Sequence, residues 1–178
     1  MRFFCLMTVA LLACLSIRAD DAFTPLPDDD PPLMSVIAVQ PTLTIEQGYR
    51  VFLMMARDQG DFDADLDVEH MVFEDVRAHL IALCVISPKW SLAPDECLRR
   101  DVLAYMSASY LGVKPGLLTR WFGMTRRYAH REMLFRRIIA PGSPRTVVSG
   151  SELLSVMTRV SICRDPHQGV DLDADEIH

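Results

Sequence analysis

Read from its apolar positions, the chain spells out helices. Ile45, Tyr49, Phe52 and Ala56 recur at helical spacing behind Thr44-Ile-Glu-Gln47, a capping-box pattern, and predict a helix over 44–58. Val72, Val76, Leu80 and Leu83 form a second stripe, with Asp67 as its N-cap and a helix over 68–86. Ser87-Pro88 ends that run. Pro94-Asp95-Glu96 then places proline and acids where a helix starts, ahead of Leu98, Val102, Tyr105 and Met106. Gly112 and Pro115-Gly116 mark turns before a short helix over 117–123. A basic helix over 124–139 stops at Ala140-Pro141-Gly142, and Ser149-Gly-Ser-Glu152 opens a last one through Leu153, Val156, Met157 and Val160.

No strand ladder competes with this pattern. The expected fold is all-α, a compact bundle of about six helices over 43–163. Ahead of it, 20–42 is rich in Pro and Asp and reads as an extended lead-in, with Ser35 to Val39 a short strand or docked segment. Residues 164–178 read as an acidic C-terminal tail. With 178 residues, half of them apolar, the chain is long enough for one domain with a real core.

The N-terminus changes the expected compartment. Met1-Arg2 precedes an apolar run from Phe3 to Ile17, too short for a span of ~20 residues but suited to a signal peptide covering 1–19. The expectation is an exported protein, periplasmic or secreted. Leu11-Leu12-Ala13-Cys14 also resembles a bacterial lipobox, which implies lipidation at Cys14 and a lipid-anchored alternative; only then is a membrane a partner. Of eighteen basic residues only Lys89 and Lys114 are lysines, and there is no Asn, as in a GC-rich bacterial coding sequence. Beyond the leader, Cys84, Cys97 and Cys163 remain. A Cys84–Cys97 bridge is expected in an oxidising compartment, closing a loop of about 14 residues and contributing up to ~3 kcal/mol.

Charge is unevenly laid out. Residues 20–75 hold fourteen acidic residues against Arg50 and Arg57, whereas 99–145 hold ten basic residues against Asp101 and Glu132. Arg120, Arg126, Arg127, Arg131, Arg136 and Arg137 make a basic interaction face beside Tyr128 and Phe135. Such asymmetry suits a protein partner or self-association through complementary surfaces.

Two local resemblances offer other chemistry. In RDQGDFDADLDVEH, counting from Asp63, Asp65, Asp67, Glu69 and Glu74 fall at positions 3, 5, 7 and 12 of an EF-hand loop, which the segment resembles. The resemblance implies Ca2+ as a possible cofactor, but Val68 stands in the slot of the glycine that makes the turn. The closing RDPHQGVDLDADEIH echoes the stretch and runs out of residues before position 12. SASYLGVKPGLLTRW, Ser107 to Trp121, resembles a helix-turn-helix, with Arg120 on the recognition helix. That implies DNA binding only if the N-terminus is no export signal; with one, nucleic acid is not the expected partner. His70 and Glu74 share a helix face, but no nucleophile elbow, Walker loop or zinc-protease pattern occurs. The sequence points to binding or assembly rather than catalysis.

Overall fold

A computed structural model describes residues 32–113 and 124–164. The described residues form six α-helices and no strand: α1 Leu33–Ala38, α2 Ile45–Asp58, α3 Phe73–Ala82, α4 Arg100–Tyr110, α5 Arg126–Phe135 and α6 Gly150–Arg164. The expected all-α class holds. Residues 1–19 with Cys14, the helix over 117–123 with Arg120, and the tail from 165 lie outside the described residues.

Local chemistry explains the ends of these helices. Thr44 caps α2 as the sequence indicates, its hydroxyl accepting from the Gln47 amide while the Gln47 side chain accepts from the Thr44 amide. The C-termini of α2, α3, α4 and α5 share one solution, a left-handed residue followed by an inward turn. Gly60, Cys84, Gly112 and Arg137 have positive φ, and the next amide in each case returns to the helix, as Val85 does to the Leu80 carbonyl and Ile138 to that of Met133. Val85 and Ile138 are buried by that turn.

Three helix pairs repeat one plan. In each, a first helix (α1, α3, α5) leads through a hook to a second helix (α2, α4, α6). One residue from each hook meets at a centre: the Leu98 amide donates to the Leu43 carbonyl at 2.8 Å, Val148 to Leu98 at 2.9 Å, and Leu43 to Val148 at 3.1 Å. All three side chains are buried. The same rotation orders the helix starts. The first amide of α2 donates to the Glu96 carbonyl, that of α4 to Thr146 and that of α6 to Gln40. Amides that a helix N-terminus leaves without intrahelical partners are thus bonded by the next hook.

Packing follows the same cycle. Helix α2 packs on α3, α4 on α5, and α6 on α1, so α1 takes the place in the cycle that a further first helix after α6 would take. Gly150 makes this closure possible: a Cβ there would overlap the Ile37 carbonyl oxygen. At the far ends of the second helices Asp61 accepts from Tyr110 at 2.8 Å and from Arg164, whose guanidinium also lies 4.1 Å from the Tyr110 ring. Arg164 first, then Tyr110, holds the Asp61 carboxyl below the usual range, and burial with the Asp61 hydrogen bond raises the Tyr110 hydroxyl.

Several expectations need correction. Residues 33–38 are helix, neither strand nor extended chain, because Ile37 docks against α6. Helix α3 starts at Phe73, not 68, and Asp67 caps a turn by accepting from the His70 amide. Pro94 opens no helix: its carbonyl and that of Glu96 serve the start of α2, and α4 begins at Arg100. The basic helix ends at Phe135. Cys84 and Cys97 are not bridged; with Cys163 they are free and exposed. Cys84 occupies the left-handed turn after α3, and Cys97 sits in the hook, its backbone paired with Thr44.

Gly150→Ala is expected to lower the unfolding free energy by about 2–3 kcal/mol, measured by urea denaturation, because backbone must move to admit the methyl. Gly48→Ala meets only the end of the Leu98 side chain and should cost less. A neutral or stabilising Gly150→Ala, as helix propensity alone requires, contradicts the close approach.

Candidate functional site: an acidic loop and a basic helix

The acidic connection between α2 and α3 is built from the inside. Val68 is buried, Leu66 and Phe62 pack against the core, and the Phe62 ring meets His79 edge-on at 5.2 Å. The backbone is held by the only two basic residues of the acidic half. Arg50 donates to the carbonyls of Val68 at 2.7 Å, Glu69 at 3.1 Å and Met71 at 2.8 Å, and is itself oriented by Glu46. Arg57 donates to the Leu66 carbonyl at 3.2 Å.

A guanidinium therefore collects the carbonyl oxygens, and the carboxylates are left to face water. Asp63, Asp65, Asp67, Glu69 and Glu74 are all exposed. Asp63 accepts from the Asp65 amide, Asp67 from the His70 ring at 2.9 Å, and Glu74 pairs with Arg77 at 3.2 Å. The His70 hydrogen bond keeps the Asp67 carboxyl below its ordinary range. Among the described residues no three His, Cys, Asp or Glu side chains come together to hold an ion. The spacing that resembles a calcium loop does not gather its carboxylates. Val68, in the glycine slot, inserts into the core, and Arg50 satisfies the carbonyls from within.

Helix α5 is two-sided. Ala129, His130 and Met133 are buried, while Arg127, Tyr128, Arg131 and Phe135 face outward. The Phe135 side is unusual, since that residue is 83% exposed. Thr125 caps the helix by accepting from the Tyr128 amide. The other expected members of the basic face have separate places. Arg126 lies over the Trp90 ring at 4.3 Å, Arg136 pairs with Glu132 at 2.8 Å, and Arg137 turns off the helix at positive φ. Among the described residues no ion pair joins the acidic loop to Arg127 or Arg131.

Sequence reasoning missed the buried polar groups. Arg100 is bidentate to Glu152, at 2.6 and 3.1 Å, and so joins α4 to α6. Nearby, Arg99 Nε and Asp101 Oδ1 form an ion pair at 3.4 Å, short of a hydrogen bond, and His130 Nε2 is buried without a hydrogen-bond partner among the described residues. Burial lowers the His130 pKa, with Asp101 opposing and Arg100 reinforcing the effect. A lone histidine between Ala129 and Arg131 carries no periodic signal that separates a buried ring from an exposed one.

His130 gives a pH test with a definite sign. Its folded-state pKa lies below the ordinary 6.5, so stability is complete above that value and falls as protons bind the unfolded chain preferentially. Urea midpoints should drop from about pH 7.5 to about pH 5.5, above the carboxylate range, and His130→Leu should flatten that interval. An equal drop in the variant assigns the effect elsewhere.

Compared with known proteins, the chain matches no family model, no curated protein and no solved structure.

Proposed function

We propose that this protein is a non-enzymatic binding module that associates with a second copy of itself, or with a protein partner of like surface, through the α5 face and the 61–75 loop. The observation that supports it is the outward exposure of both faces, with no ion pair among the described residues at Arg127 or Arg131 and only local partners on the loop carboxylates. Arg127 and Arg131 flank the exposed Phe135 and Tyr128, and the carboxylates of 63–74 stand on a backbone fixed by Arg50. Arginine and aromatic side chains are the groups enriched at protein interfaces. Covering the Phe135 ring contributes roughly 2 kcal/mol from apolar area alone. The charges steer the encounter and fix the register more than they add affinity.

A loop of one copy on the helix of the next is a head-to-tail contact, which closes into a ring or extends as a fibre. In this proposal residues 1–19 act as an export signal and association takes place outside the cytoplasm. No helix among the described residues is long and apolar enough to cross a membrane.

Sedimentation of the mature chain at low salt should show concentration-dependent association. Raising the salt, or combining Arg127→Glu with Arg131→Glu, should weaken it at least about tenfold. Both arginines are exposed and outside the core, so the variant should keep its helical content. Association indifferent to salt and to the reversal, or none at all, contradicts the proposal.

A further inference from the structure

A cleft of about 260 Å³ opens between α6 and the 138–140 segment of its own hook, beside the start of α4. Ile138 and Val156 give it apolar walls. Ser155 and Arg159, one helical turn apart, line it from α6, and the Arg100–Glu152 pair lines it as well. The three-unit plan shows what the corresponding place holds elsewhere.

Leu98 and Val148 occupy equivalent positions in the central hydrogen-bonded triangle, which puts Tyr105 of α4 in register with Ser155 of α6. In the second unit the Trp90 indole, from that unit's own hook, packs on Tyr105 with ring centroids 4.7 Å apart, and the Arg126 guanidinium covers it at 4.3 Å. In the third unit the chain between the buried pair Ile138-Ile139 and Val148 is shorter than that between Val85-Ile86 and Leu98 and contains no aromatic residue. Serine stands in register with tyrosine, it lines the cleft, and the third unit's hook supplies no aromatic side chain to cover it.

We propose that this cleft binds a small aromatic carboxylate, its ring lying where Trp90 lies in the second unit. The wall residues suit a flat apolar body. The charges favour an anion, because Arg100 is balanced by Glu152 whereas Arg159 meets no carboxylate among the described residues. Arg159 uses one nitrogen, Nη1, on the carbonyls of Arg137 at 2.8 Å and Ile138 at 3.2 Å. Its remaining N–H groups and the Ser155 hydroxyl are donors for a carboxylate. The carbonyl contacts hold the guanidinium at the cleft before any ligand arrives, which reduces the ordering that binding would require.

The test uses indole-3-acetate as the probe and the full-length mature chain. Titration followed by two-dimensional NMR should give saturable shifts at Ile138, Ser155 and Arg159, with a Kd of about a millimolar or tighter, the range open to a ligand of this size. Indole-3-ethanol, similar in size but uncharged, should bind at least about tenfold more weakly. Ser155→Trp, which fills the cleft from within, should abolish the shifts; Arg159→Gln should bring the acid down to the affinity of the alcohol. Absence of saturable shifts at these residues, equal affinity for acid and alcohol, or unchanged binding in a folded Ser155→Trp variant overturns the proposal. If Ser155→Trp does not fold, the acid–alcohol comparison on the unaltered chain decides it.

Discussion

Three backbone hydrogen bonds, among Leu43, Leu98 and Val148, are the constraint on which the rest of the structure depends. Each joins residues from different units, and each is made in a buried, apolar setting where an unmade bond costs about 1–3 kcal/mol. The hooks that carry them also bond the first amides of the neighbouring second helix: Pro94 and Glu96 serve α2, Pro144 and Thr146 serve α4, and Gln40 serves α6. No unit completes the start of its own second helix. The three pairs must therefore form together, and the short α1 matters out of proportion to its length because it closes the cycle onto α6.

That frame leaves the loop carboxylates and the outer side of α5 exposed. Its interior already contains the polar groups that hold it: Arg50 under the acidic loop, Arg100 on Glu152, and Asp61 between Tyr110 and Arg164. The loop owes its shape to a guanidinium bound to carbonyl oxygens, and the carboxylates of Asp63, Asp67 and Glu74 make only short local bonds and face water. An acidic stretch of this kind offers a surface rather than a cage. Helix α5 offers the opposite charge, with aromatic side chains available for contact.

Much of the helix content was legible because periodicity reports local burial. Thr44 with Gln47, and the stripe from Leu153 to Val160, led to helices at the right places. Helix starts differ from their local signals where long-range bonds overrule them. Pro94-Asp95-Glu96 has the composition of a helix start, yet its carbonyls are committed to α2. Asp67 has the character of an N-cap, yet Val68 gains more by burial than the helix would by an extra turn. The threefold plan itself left little trace in the residues, since backbone hydrogen bonds constrain position and not side-chain identity. Leucine, leucine and valine at its centre are unremarkable apolar residues. The acidic and basic faces were visible as composition; that the carboxylates diverge was not, because the decisive residue, Arg50, lies thirteen positions before Asp63.

Amide hydrogen exchange at Leu43, Leu98 and Val148 tests the central claim most directly. If one cooperative triangle closes the fold, the three amides are among the slowest in the chain and exchange with a common opening free energy equal to that of global unfolding. Fast exchange at Leu43 while Leu98 and Val148 stay protected would mean that the first unit is an appendage to a two-unit core, and would contradict the account.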